Sequence, residues 1–259
     1  MTHTEQRKYL IARLLKEQKQ FSNTPIPDNE QEQQMLLRAL FNVRMPQKAD
    51  ADFLKVQDEY LQTATKKKGI TDIADLTPRQ TGIYLWRGDI TTLRCDAIVN
   101  AANSGMCGCF IPNHACIDNF IHTYAGVQLR LACAEFMEKQ GHEEKTGTAK
   151  ITSAYNLPCN FILHTVGPII ENKVMDRDRA LLASCYRSCL ELAEENHIKN
   201  IAFCCISTGI FRFPNEEAAK IAVNTVKIYR QETGSSMEVI FNVFKDVDEK
   251  IYNELLSTN

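Results

Sequence analysis

The sequence predicts one α/β domain, residues 81–259, behind a helical N-terminal extension, residues 1–80. Three features carry that expectation. Apolar residues recur at helical spacing up to about residue 80 and fall in short β-type runs from residue 82 onward. Those runs then alternate with helical stretches, the pattern of an at least partly parallel sheet with helices on both faces. The chain is 259 residues long, 44% hydrophobic and 24% charged, which suits one large globular domain with an appendage.

Each element has its own signal. Leu10, Ile11, Leu14 and Leu15 make the apolar stripe of a first amphipathic helix. Met35, Leu36, Ala39, Leu40 and Val43 make that of a second, and Phe53, Val56, Tyr60 and Leu61 that of a third. Pro25, Pro27 and Pro46 sit in the breaks between them. Lys66, Lys67 and Lys68 before Gly69 mark a helix C-terminus, where cations are favoured. Strands are expected at 83–86, 96–100, 149–152, 161–166, 201–206 and 239–243. Helices are expected at 116–138, 176–196 and 215–231. The last of these starts behind Pro214 and Asn215, with Glu216 and Glu217 in its first turn.

Composition excludes several classes of function. Thirty basic against thirty-two acidic residues give a net charge of −2. That leaves no general basic field to hold nucleic acid through its phosphates. No apolar run approaches the ~20 residues that a bilayer requires, so no membrane span is expected. Residues 1–20 lack a secretory apolar core. Ten cysteines without such a signal are expected to be reduced thiols in the cytoplasm. Cys133, Cys185, Cys189, Cys204 and Cys205 lie in apolar stretches and read as small buried side chains.

In an open α/β sheet, ligands bind at the carboxyl ends of the strands, and three segments there carry chemistry. Ser207-Thr208-Gly209-Ile210-Phe211-Arg212-Phe213-Pro214 reads as an anion cradle. It offers hydroxyls, a glycine free to take positive φ, a helix N-terminus just beyond, and aromatic surface at Phe211 and Phe213. Asn100 and Asn103 flank two alanines, and a carboxamide that donates and accepts suits a sugar diol. Asn103 is the ligand candidate of the two, with Asn100 satisfying its own turn. The third segment is Cys107-Gly-Cys109-Phe-Ile-Pro-Asn-His114-Ala-Cys116. Three thiols and an imidazole within ten residues suit zinc. Four ligands would make a closed structural site; three would leave a position for water or substrate. The ligand loop beside it favours the open form. His122, His164 and Trp86 read as core residues.

Trp86-Arg87-Gly88-Asp89-Ile90-Thr91 followed by Asp96-Ala97-Ile98-Val99-Asn100-Ala101-Ala102-Asn103-Ser104 resembles the opening of a macrodomain, the ADP-ribose-binding fold. His164-Thr165-Val166-Gly167-Pro168 and the 207–214 loop resemble its later motifs, so the likeness covers about residues 82–256. It implies a three-layer α/β/α mixed sheet. Where hydrolytic macrodomains usually carry a glycine-rich loop, this chain has Cys109, His114 and Cys116. In this, and in its helical extension, it is similar to the zinc-dependent macrodomains of bacteria and fungi. That resemblance implies a hydrolase that removes ADP-ribose from modified proteins, one zinc per chain, ADP-ribose as product ligand, and functional linkage to an ADP-ribosylating sirtuin. It implies that Asp89 meets the adenine amino group beside Ile90 and that Asn103 holds the distal ribose. Ser207, Thr208, Gly209, Ile210 and Phe211 would wrap the diphosphate, and Cys109, His114 and Cys116 would bind zinc, with Cys107 a near neighbour. Asp118 resembles a catalytic acidic position; capping the helix or orienting a zinc ligand are its other readings. An ADP-ribose reader that does not cleave, and an esterase for O-acetyl-ADP-ribose, are the alternative functions.

Overall fold

Side-chain caps set the starts of the N-terminal helices. In the computed structural model, which describes residues 1–257, helix α1 spans His3–Glu17, with Thr2 and Glu5 forming a reciprocal capping box. Helix α2 spans Glu30–Val43 behind Asn29, and α3 spans Ala51–Lys68 behind Asp50. Helix α3 stops at Gly69, whose φ of 91° a side chain would resist. The final residues 258–259 of the expected domain lie outside the described residues. Leu10, Ile11, Leu14, Leu37, Phe53 and Leu61 close a second apolar core among these helices. Val127, from the sheet domain, is a member of that core, and Tyr124 packs against it. The extension and the domain therefore share a wall.

The main sheet has six strands in the order β2-β8-β7-β4-β6-β5. These are β2 (Ile83–Arg87), β4 (Ala97–Ala102), β5 (Ala149–Ser153), β6 (Phe161–Val166), β7 (Asn200–Phe203) and β8 (Glu238–Val243). All neighbours pair in parallel except β5, which runs antiparallel to β6 at the edge. Two further short strands, β1 (Thr71–Asp72) and β3 (Leu93–Arg94), pair with each other. The sheet is flanked by α4 (Ile117–Ala125), α5 (Val127–Gln140), α6 (Asp176–Glu195), α7 (Asn215–Thr233) and α8 (Asp246–Ser257). The central strands are buried on both faces, so they read in sequence as continuous apolar runs such as Ile98-Val99 and Ile240-Phe241. This is the mixed, helix-flanked sheet that the sequence implies. Among the described residues no helix is long and apolar enough to cross a membrane.

Two expectations are corrected, and one element is added. The single helix over 116–138 is two, because Gly126 (φ 97°) breaks it between α4 and α5. The strand expected to reach 206 ends at Phe203, and the chain turns there into the expected anion loop. Helix α8 is an addition to the expected elements, although Ile251, Tyr252, Leu255 and Leu256 fall at helical spacing behind acidic first-turn residues Asp246, Asp248 and Glu249.

Strand lengths place the site. β4 pairs with β7 only over Ala97–Val99, yet continues beside β6 to Ala102. Beyond Val99 the sheet therefore splits at the carboxyl ends, between β4 and β7. Chain order also reverses here, since β4 leads to β6 on one side and β7 to β8 on the other. That is where an α/β sheet opens a ligand crevice.

Candidate functional site

One wall of the crevice is the segment after β4. Register sets Asn100 directly opposite His164, so both side chains point to the same face. The Asn100 amide donates to Asp118 Oδ1 at 2.8 Å and meets His164 Nδ1 at 3.1 Å. His164 Nε2 lies 2.9 Å from Thr152 Oγ1. Burial pulls the His164 imidazole down to about 3, so it is neutral at ordinary pH. Contrary to expectation, Asn100 therefore does not satisfy its own turn: it lies inside β4, its amide goes to Asp118 and His164, and its Oδ1 is buried without a partner. His164 is the core residue its context indicates. Three residues on, Asn103 Oδ1 accepts the Gly105 amide at 3.0 Å. Asn103 Nδ2 donates to the Gly108 carbonyl at 3.2 Å and lies 3.4 Å from Asp118 Oδ2.

Asp118 stands in the first turn of α4, buried, with one oxygen towards each asparagine. Burial pushes its carboxyl up to about 6, against the hydrogen bond from Asn100 and the charge of Arg130. It does not cap the helix: the N-cap is Cys116, whose sulfur accepts the Asn119 amide at 3.4 Å. Its contacts are with the carboxamides, so its geometry is that of a residue orienting Asn100 and Asn103. One turn later, His122 Nε2 lies 3.5 Å from Asp118 Oδ1. The ring of His122 lies under Gly108 (φ 82°), where a Cβ would stand only 2.7 Å from its Cγ. Glycine is required there on both counts.

The loop between β4 and α4 gathers the expected ligands. Cys109 Sγ lies 3.5 Å from His114 Nδ1, and the donor atoms of Cys109, His114 and Cys116 all fall within 4.8 Å of one another. All three residues are half-buried, and burial pushes the Cys116 thiol up to about 12. Cys107 is not in that group; its carbonyl is engaged by Arg130. A second cluster, His122, Cys133 and His164, lies in the core. Both nitrogens of His164 are committed to Asn100 and Thr152, which leaves two donors, too few for a metal.

The opposite wall is the loop after β7. Ser207 (φ 66°) and Arg212 (φ 58°) take the left-handed conformations, not Gly209 as expected. Ser207 is buried against Gly167, where a Cβ would come within 2.0 Å of its Oγ. The Phe211 carbonyl accepts the Ile170 amide at 2.8 Å, and the Phe213 amide donates to the Ser207 carbonyl at 3.0 Å. These bonds fix the loop's shape. Among the described residues the amides of Gly209, Ile210 and Phe211 have no protein acceptor, and the space beside Gly209 is open. Thr208 Oγ1 donates to the Cys205 carbonyl at 3.1 Å. Phe213 is 1% exposed, so it belongs to the core and offers no aromatic surface; Phe211 is half-buried and Ile210 exposed.

At the far end, Asp89 caps the short 3₁₀ turn Ile90–Thr92. Its Oδ1 accepts from Thr91 N at 3.0 Å and Thr91 Oγ1 at 2.6 Å, and its Oδ2 from Lys68 Nζ at 2.8 Å. Burial pushes this carboxyl up, but the hydrogen bonds from Lys68 and Thr91 outweigh it and hold it below the usual range. Lys68 also lies 3.3 Å from the Tyr124 ring centroid. The Ile90 side chain is buried, so only its backbone is available to a ligand. Sequence reading missed Phe244. It is 73% exposed immediately after β8, where the Val243 carbonyl accepts the Gly88 amide, beside Asp89. A large aromatic just past a buried strand was the available signal.

Known proteins provide a comparison. The model of one protein family, described as Macro domain, matches residues 99–222. A Protein-ADP-ribose hydrolase of Treponema medium is 59% identical over 99% of this chain and 100% of its own length. One from Staphylococcus aureus (strain MSSA476) is 48% identical over 95% and 93%. Among solved structures, an Oceanobacillus iheyensis macrodomain with ADP superposes with a TM-score of 0.61 at 40% identity, over 67% of this chain and 89% of that one. A Trypanosoma brucei macrodomain in complex with ADP-ribose gives 0.66 at 27%, over 89% and 97%.

Proposed function

The chain belongs to the macrodomain family and aligns end to end with its protein-ADP-ribose hydrolases, and from that premise we propose that it cleaves mono-ADP-ribose from protein side chains, at carboxylate esters, beside a zinc held by Cys109, His114 and Cys116. The observation that carries this reading is the placement of two groups after neighbouring strands of the sheet. Three unpartnered amides, Gly209 to Phe211, lie in the loop after β7, and the Cys109/His114/Cys116 cluster lies in the loop after β4.

Each part of the ligand has a counterpart. The three amides offer free donors to a diphosphate, and Gly209, with open space in place of a side chain, lets phosphate come close. Asp89 accepts from an adenine amino group at the far end, with Phe244 as its stacking surface. Asn103 faces the distal ribose. Its carboxamide is already oriented by Gly105, Gly108 and Asp118, so little ordering remains when the sugar arrives. Binding energy from adenine and diphosphate, remote from the reacting bond, holds that bond in place.

The donor set suits zinc. Two thiols and an imidazole are among its preferred ligands, and the 3.5 Å between Cys109 Sγ and His114 Nδ1 is close to the edge of a zinc tetrahedron with bonds of about 2.1–2.3 Å. Bound there by three ligands, zinc supplies a Lewis acid and lowers the pKa of water towards about 7. In the overall reaction water adds across the ester, the carbon–oxygen bond breaks, and the products are a side-chain carboxylate and free ADP-ribose. The substrate must come from an enzyme that transfers ADP-ribose to protein, in keeping with a sirtuin partner.

The test is release of free ADP-ribose from a mono-ADP-ribosylated protein, by enzyme as isolated and after zinc stripping. Release that disappears with the metal and returns on adding zinc is the expected result. Release that survives stripping would overturn the zinc role. No release by either sample, with ADP-ribose still bound, would make the protein a reader.

A further inference from the structure

We propose that helix α2 is part of the metal site, with Arg38 and Asn42 as positioning residues that hold the 109–116 loop in ligating shape. The inference rests on the zinc reading above and goes beyond it by giving the helical extension a role. Arg38 and Asn42 are one helical turn apart, so they share the face of α2 that packs on α4. Arg38 Nη2 donates to the His114 carbonyl at 2.7 Å and to Asn119 Oδ1 at 2.7 Å, and Nε reaches the same oxygen at 3.2 Å. Its guanidinium lies 3.9 Å over the Phe120 ring, which fixes its plane. Asn42 is 1% exposed; its Oδ1 accepts the Asn113 amide at 2.9 Å and its Nδ2 donates to Thr123 Oγ1 at 3.0 Å.

These bonds converge on one short stretch. Asn119, which Arg38 orients, donates to the Ile111 carbonyl at 3.0 Å, and its amide reaches Cys116 Sγ at 3.4 Å. Ile111, Asn113 and His114 are therefore all tied, directly or through Asn119, to a helix about seventy residues earlier in the chain. Asn113 sits at φ 54°, in the left-handed region that asparagine tolerates better than most side chains, and its amide is held there by Asn42. Ordering a residue's backbone costs conformational entropy. A loop already ordered by α2 leaves that cost out of metal binding. The outer partners of metal ligands change affinity in just this way when removed, by about 10–100-fold.

The experiment is zinc competition against a chromogenic chelator, using full-length apo-protein, with thermal unfolding recorded with and without zinc. The variants are Arg38→Ala, Arg38→Lys and Asn42→Ala. Leu37→Ala serves as the control, because Leu37 is buried in the helical core and is not bonded to the loop. Arg38→Ala and Asn42→Ala should weaken zinc binding by about 10–100-fold and shrink the rise in Tm on adding zinc. Arg38→Lys should recover only part of the affinity, since an ammonium lacks the fork that spans His114 and Asn119. Leu37→Ala should lower Tm equally with and without zinc and keep wild-type affinity. Wild-type affinity in Arg38→Ala and Asn42→Ala would overturn the proposal, as would an equal loss in Leu37→Ala. Failure of the wild-type protein to bind zinc would instead overturn the metal reading itself.

Discussion

Replacing Arg130 by methionine should cost about 3–5 kcal/mol of folding stability. Arg130 is 5% exposed, and its donors are spread over two parts of the molecule. Nη1 meets the carbonyls of Phe41, Asn42 and Arg44 at 3.1, 2.7 and 2.6 Å. These carbonyls close α2, where the helix itself supplies no donors and its dipole favours a cation. Nε donates to the Cys107 carbonyl at 2.8 Å and Nη2 to that of Cys109 at 3.3 Å. Methionine keeps most of the apolar stem and removes every donor. Nη1 has two hydrogens for three carbonyls, so about three well-made bonds are lost, each leaving a buried carbonyl at roughly 1–3 kcal/mol. The guanidinium's own desolvation cost disappears with it, which brings the net to the lower part of that range. Urea unfolding followed by far-UV circular dichroism would show this as a lower midpoint at unchanged slope. Thermal unfolding would show a fall of roughly 6–20 °C. A loss below about 1 kcal/mol would refute the reasoning, because it would mean that these carbonyls find other donors or water at no cost.

The remaining predictions concern the walls of the crevice. Gly108→Ala should destabilise the protein by about 2–4 kcal/mol, from positive φ and the His122 contact together, and should weaken zinc binding; equal stability in urea would contradict both causes. Gly167→Ala drives a methyl into Ser207 Oγ and should lower ADP-ribose affinity measured by calorimetry, with unchanged zinc content. The Asp89 carboxyl is held below its unfolded value, so its contribution to stability is present above about pH 4 and is lost as pH falls through the lower folded value. Asp89→Asn should accordingly flatten the acid limb of the stability profile in that window and weaken ADP-ribose binding; an unchanged acid limb would remove the Lys68 pairing as its source.

The segments of the candidate site were legible because each is local. Asn100 and Asn103 across two alanines, the Cys109–Cys116 spacing and the Ser207–Phe211 turn announce themselves within ten residues. The strands were legible because buried central strands are written as short apolar runs. Arg38 with His114, Arg130 with Phe41, and Lys68 with Asp89 were not legible. They depend on which polar residue of an amphipathic helix faces which neighbour, and helical periodicity marks only the apolar face. Gly126 was passed over because the apolar pattern continues through it, and only its φ ends the helix. Gly209 shows the opposite error: a glycine in a turn need not carry the positive φ, which here falls on Ser207 and Arg212.

The shared wall between the helices and the sheet domain has a consequence for synthesis on the ribosome. The first three helices leave the tunnel well before Val127, which completes their core, and before Arg130, which closes the end of α2. Until then the nascent helical segment lacks one side and its C-terminal carbonyls have no donor. Domains generally fold as units as the chain emerges, and here the unit cannot close before about residue 130. Cys109, His114 and Cys116 emerge inside that interval, after the helix that braces them and before the residues that lock the brace. The order of emergence therefore delays the bonded shape of the 109–116 loop until the two halves of the molecule have met.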